Sequence, residues 1–365
     1  MPSAHPGYPP LTRLRDRFLP RFCAIILCTA CAGAVACGRE GAPGKRVTAA
    51  ALEDVAVLER TFRLEENDDV VNVSPLVSLD PRGGFLVADS REAQVRRYGL
   101  GGELLWHTGT RGSGPGEFRQ PRAAVRMNDG TVAALDQGGR MTVLDSAGSR
   151  VLRTVRTPFR FVEDVEVMGD SLLLVSAILR EQGQGPRLHL WNLRQDTVAA
   201  SFFEPFRRAP NPVAATIAGW TKVAVRGDSL AAIFALSDSV HFFDRAGKPL
   251  GSISIPFAAF RRVGRHVPDG GEDPVRREKW LTSFDYVADV HWLPDGDLLV
   301  AYQSIVPGGA YTRDWHLTRM TASGTRVFEL RDVPRLLAVD PLQGGLYLVK
   351  PGAEVPNEWT LALLR

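Results

Sequence analysis

From Val55 onward the chain is a succession of short apolar runs rich in Val, Leu, Phe and Ile, each stopped by Gly, Asp or Asn. No long stretch places apolar residues at the i, i+3, i+4, i+7 spacing of a helix face. Many short strands joined by tight turns have this pattern, and it predicts an all-β fold.

The pattern also repeats. Its clearest unit is Gly109–Ser149: a Gly-rich connection, a strand, a turn at Asn128-Asp129-Gly130, a strand ending in Asp136, a third strand, and a turn at Ser146-Ala147-Gly148. Weaker copies follow the same order. Their first tight turns are Gly83-Gly84, Asp129-Gly130, Gly169-Asp170, Gly227-Asp228, Asp295-Gly296 and Gly344-Gly345. Two-residue hairpin turns need positive φ, which explains the Gly and Asp. Later turns recur at Gly101-Gly102, Ala147-Gly148, Gln195-Asp196, Ala246-Gly247 and Ser323-Gly324. Six such units predict a six-bladed β-propeller of four-stranded blades. The sixth unit stops one strand short, whereas Val55–Leu64 is a strand without a blade. Pairing the two completes the last blade and removes the exposed edges of an open sheet. A monomer is expected.

The order of parts, together with the GSGPGEF segment at residues 112–118 and Pro121, resembles the NHL repeat. The same glycines suggest a phosphate loop only at first glance, because the Lys-Ser/Thr and the following helix are missing. The resemblance is to six-bladed propeller lipoproteins of NHL type. It implies a membrane-tethered recognition module, with Phe118 packed between blades.

The first residues carry an address. Arg13, Arg15, Arg17 and Arg21 precede an apolar run, Phe22–Ala36, too short to span a bilayer as a mature helix. Ala34-Val35-Ala36-Cys37-Gly38 resembles a bacterial lipobox, which implies a signal peptide over residues 1–36 and a lipid on Cys37. Residues 37–54 then read as a flexible tether, and residues 55–365 as the propeller. Gly38 and Arg39 offer no aspartate retention signal, which in a Gram-negative lipoprotein implies the outer membrane. All four cysteines lie in this segment, so the mature chain can form no internal disulfide. Its removal takes four arginines and one aspartate from 44 basic and 41 acidic residues, and leaves the mature chain balanced. No global basic field remains to attract nucleic acid.

Function is less legible. The strand 2–3 loops and blade-to-blade connections share one face of a propeller, and here that face holds the long segments: 110–120, 177–187, 204–219, 256–285, 303–314 and 351–357. Long loops on one side of a rigid scaffold are where binding resides. The segment 256–285 is dense in charge, with Arg261, Arg262, Arg265, Arg276, Arg277 and Lys279 around Glu272, Asp273 and Glu278. Its Phe257, Phe260, Trp280 and Phe284 suggest that its ends pack down.

Aligning the inner strands on their turns sets Arg122, Asp164, Lys222 and Asp289 in one register facing the central channel, and Glu166 and His291 in the next. This mixed-sign ring could hold a polar ligand, or its members could neutralise one another as pairs between blades. Six-bladed propellers include calcium-dependent lactonases and a zinc- or calcium-dependent amidation lyase. Asp164, Glu166 and Asp289 imitate part of a lactonase site, but the matching inner registers hold no asparagine. The histidines are too scattered for a zinc site, which needs three or four converging ligands. Trp106, Trp191, Trp220, Trp292, Trp315 and Trp359 read as packing between blades; Trp280 and Tyr286 lie nearer the loop face. The leading expectation is a cofactor-free, non-catalytic module that binds a protein, peptide or glycan in the cell envelope. The alternative is a calcium- or zinc-dependent hydrolase, lactonase or lyase.

Overall fold

The computed structural model describes residues 51–181, 185–204, 219–263, 274–306, 313–351 and 356–365. The expected signal peptide, Cys37 and most of the expected tether lie outside these residues. So do Arg265, Glu272 and Asp273, the side chains of Arg276, Arg277 and Glu278, and most of 204–219.

Six four-stranded antiparallel sheets make up the propeller. Blade one is β2–β5 (Pro75–Leu79, Phe85–Asp89, Gln94–Tyr98, Leu104–Thr108), and blade two is β6–β9 (Pro121–Arg126, Val132–Asp136, Arg140–Leu144, Val151–Arg156). Blade three is β10–β13 (Phe159–Val167, Leu172–Leu179, Leu188–Asn192, Thr197–Phe202). Blade four is β14–β17 (Thr221–Arg226, Ser229–Phe234, Ser239–Asp244, Pro249–Ser254). Blade five is β18–β21 (Asp285–Trp292, Leu298–Ile305, Arg313–Met320, Arg326–Val333). Blade six takes β22–β24 (Leu336–Val339, Gly345–Val349, Glu358–Leu364) from one end of the chain and β1 (Ala56–Arg63) from the other.

That last sheet has the closure expected from the unpaired ends: β1 runs antiparallel to β24, from Ala56 opposite Leu364 to Arg63 opposite Glu358. Before it, Leu52–Val55 forms one helical turn (α1), whose Leu52 and Val55 pack against the core between blades five and six. Phe62, Phe85, Tyr347 and Trp359 then join blade six to blade one, with Trp359 edge-on to Phe85 at 5.0 Å between centroids.

Turn chemistry follows the sequence. In blade two, Gly130 and Gly148 have φ of +89° and +69°. A Cβ on Gly148 would also lie 2.3 Å from the Trp106 indole of blade one, so this glycine serves packing as well as turning. In blade three Asp196 takes the positive φ (+53°) in place of glycine. Phe118 is buried with Val95 and Leu144 between blades one and two, and Gly109 is crossed so closely by its ring that a Cβ would clash.

Carboxylates at the ends of second strands fix the connections between blades. Asp136 accepts hydrogen bonds from the N–H groups of Arg119 and Gln120 (3.2 and 3.0 Å), and Asp89 from those of Val73 and Ser74 (2.8 and 2.9 Å). Backbone donors that a connection would leave unpaired are thereby satisfied.

The insertion 256–285 contains a helix that its charge pattern does not announce, Pro274–Leu281 (α2). Its Trp280, with Phe284, packs on Trp220, Leu236 and Val263. At the other end Phe257 and Phe260 stack on each other at 4.6 Å, and Phe257 meets Tyr302 edge-on at 4.8 Å, so both ends are anchored as expected.

Candidate functional site

The inner strands β2, β6, β10, β14, β18 and β22 enter the ring from the long-loop face. A cavity of about 780 Å³ opens there, within the size range of small-ligand sites. Four of the six inner strands carry an irregularity where they meet it: β6 between Pro121 and Ala123, β10 between Arg160 and Asp164, β18 between Val287 and Asp289, β22 between Leu336 and Ala338. Bulges re-aim side chains and recur beside functional sites. In β10 the bulge includes Phe161 at φ +52°, and it turns both Glu163 and Asp164 toward the cavity.

Arg122, Asp164, Lys222 and Asp289 all line this cavity. Glu166 and His291 lie two residues further along β10 and β18 and are not part of its lining. The ring is partly self-neutralising. Arg122 pairs with Glu163 at 3.4 Å, across blades two and three. Lys222 donates to the Glu163 carbonyl at 3.3 Å, and Asp164 accepts from the Val223 N–H at 3.2 Å, so blades three and four are cross-linked. Within β18, His291 Nε2 lies 3.2 Å from Asp289 Oδ2. These groups are only partly buried: 23 % of the His291 and 31 % of the Asp289 side-chain surface is accessible to solvent.

Electrostatics split the acids. Burial pushes the Asp289 carboxyl up, but His291 and Lys222 more than offset this and hold it below its ordinary range. Burial and the nearby Asp289 charge raise Asp164 in spite of Lys222. Glu166 is raised well above the usual glutamate range by burial and then by the Asp164 and Asp289 charges, with no cation to counter them. Burial pushes His291 and Lys222 down, but nearby acids more than offset this and raise both, Asp289 acting on His291, and Asp164 and Asp289 on Lys222. Among the described residues no three His, Cys, Asp or Glu side chains are grouped to hold a metal ion.

The cavity wall holds more than the ring. Trp220 and Trp315, expected in the core between blades, also line the cavity, because each lies at the loop-face end of its blade; Trp315 still packs on the core between blades five and six, and Trp220 on Trp280 and Tyr286. With them come Tyr286, Gln303, Arg313 and Arg335. Arg313 lies over the Tyr286 ring at 5.4 Å and Arg335 over the Trp315 ring at 5.9 Å. None of these four emerges from aligning inner strands on their turns: Gln303 and Arg313 belong to second and third strands, Arg335 to a connection, and Tyr286 lies upstream of the bulge.

No protein-family model matches the chain, and no curated protein does. Similarity appears among solved structures. A member of the DUF4221 family from Bacteroides vulgatus superposes with a TM-score of 0.60 at 9 % identity, over 85 % of this chain and 97 % of that one. A protein of Bacteroides fragilis described as exported gives 0.59 at 14 % identity, over 87 % and 97 %. At such identities the likeness is one of fold: a six-bladed β-propeller.

Proposed function

We propose that this protein is a non-catalytic recognition module of the bacterial cell envelope, with NHL-type repeats, tethered through a lipid on Cys37 to the outer membrane. Its long-loop face binds an envelope protein, peptide or glycan. One observation carries the reading: the 780 Å³ cavity opens on the face that also bears the long insertions, with a mixed-charge ring at its base. The likeness to a protein described as exported accords with an envelope address. Crosslinking capture from envelope fractions tests the reading. A partner retained by the wild type and lost when Arg122 and Asp289 are both replaced by Ala supports it; identical capture by both proteins overturns it.

A zinc-dependent hydrolase would need three or four converging donors, and a calcium-dependent one about six to eight oxygen ligands. Asp164, Glu166 and Asp289 are not grouped in that way, and Asp289 is engaged by His291. Calorimetry with calcium and zinc is expected to give no saturable binding. Binding abolished by Asp164→Ala would replace the recognition reading with the enzyme.

A further inference from the structure

Arg313 and Arg335 project from adjacent parts of blades five and six into one cavity wall. Neither makes an ion pair among the described residues. Their hydrogen bonds go to neutral acceptors: Arg313 Nη1 to Gln303 Oε1 at 3.3 Å, and Arg335 Nη2 to the Pro75 carbonyl at 3.2 Å. The other charges of the cavity are compensated. Arg122 has Glu163, and Lys222 faces Asp164 and Asp289, the latter also in contact with His291. Among the described residues the uncompensated charge in this space is therefore the arginine pair. Burial and the neighbouring Arg313 cation both work against the charge on Arg335, so an anion placed between the two relieves both costs.

The unsatisfied hydrogen-bonding capacity points the same way. Three buried polar atoms on the cavity wall find no partner among the described residues: Arg122 Nε, Tyr286 Oη and Arg335 Nε. All three can donate, and none is a carboxylate or carbonyl lacking a donor. Buried polar groups are seldom left unpaired, so the missing partner is rich in acceptors. The stacking of both guanidinium groups on aromatic rings fixes them before a ligand arrives.

We infer that this wall binds the carboxylate of a sugar acid between Arg313 and Arg335, an assignment that rests on the binding reading of the same cavity. A carboxylate suits paired guanidinium groups geometrically. A dianion is disfavoured because Glu163, Asp164 and Asp289 stand in the same space. An ammonium group, as on a free peptide terminus, would meet no uncompensated acid. Neutral hydroxyl groups fit, since those three carboxylates keep lone pairs able to accept from them. A cavity of 780 Å³ admits a unit of this size.

Calorimetry on the full-length protein in detergent, with glucuronate, glucose, inorganic phosphate and N-acetyl-dialanine as probes, tests this. Glucuronate should bind saturably, and glucose and phosphate about tenfold more weakly or worse. Arg313→Gln and Arg335→Gln should each lower glucuronate affinity by about tenfold or more, in keeping with the loss of a charge-assisted hydrogen bond. Arg313 is exposed, so Arg313→Gln keeps the test valid should the Arg335 variant misfold. Glucose binding as tightly as glucuronate, phosphate binding more tightly, or an Arg313→Gln variant with full affinity would each overturn the assignment. So would binding of the acetylated dipeptide without glucuronate. Envelope capture that persists while glucuronate fails would overturn the sugar acid and leave the recognition reading standing.

Discussion

Asp80 closes the first turn of blade one and is fully buried between two cations, Arg97 at 2.7 Å on its own blade and Arg126 at 2.7 Å on the next. Burial raises its carboxyl, but these arginines and the Arg82 N–H outweigh it and hold the pKa below its ordinary value of 3.8. A depressed acid contributes stability above its unfolded pKa and loses it as pH falls through the folded value, so this contribution begins to fall below about pH 4 and is gone only below the lower folded value. Asp80→Ala should cost about 3–5 kcal/mol at pH 7, since Arg126 is left buried and unpaired, and the deficit should shrink in urea unfolding at pH 3. Equal deficits at both pH values would refute the ion-pair account. Glu166 has the opposite sign. A raised acid gives stability that is complete below its unfolded value of 4.5 and is lost as pH rises through the folded one. Glu166→Gln should therefore flatten the decline in stability from pH 5 toward pH 8, and an unchanged slope would show that its burial is unimportant. The sequence made Asp164, Glu166 and Asp289 visible because inner-strand register can be counted from a turn. Glu163 was hidden because a bulge adds a residue that period-two counting cannot anticipate, and Arg335 because connections have no period.

Elements were more legible than side chains. Hairpin turns demand positive φ, so glycines mark them along the chain, and a run without a partner at each end implies the closing pair. Helix α2 is not legible in the sequence because it is eight residues long and charged, and so shows no sustained apolar face; its placement depends on Trp280 and Leu281 meeting Trp220 and Leu236. The closing sheet makes the sharpest test at this scale. Strand β24 lies between β1 and β23, and so holds both ends of the chain. Deleting residues 358–365 removes Trp359 from the seam with blade one and leaves β1 without a neighbour. The truncated protein should lose cooperative thermal unfolding altogether, because opening the ring exposes two sheet edges and two apolar faces. A soluble truncation that melts in a single sharp transition would mean that the ring does not depend on its closure.

At the scale of the whole molecule, the proposed tether has to hold a balanced, ring-shaped domain at a membrane. Among the described residues no helix is long and apolar enough to cross one. Without the four arginines and one aspartate of the proposed leader, the chain has no excess of basic residues to be drawn to anionic lipid. The proposed anchor on Cys37 must then supply the attachment, at about 0.8 kcal/mol per buried acyl methylene, and two or three chains make it durable. Hydrophobic and electrostatic attachment respond differently to salt, because screening acts only on the second. The wild-type protein should stay with membranes through a wash in about 1 M salt, where the screening length falls to about 3 Å, and should be released by detergent. Cys37→Ser should move it out of the membrane fraction at any salt concentration. Release of the wild type by salt alone would show that charge holds it after all, and a Cys37→Ser variant that still sediments with membranes would place the anchor elsewhere in the chain.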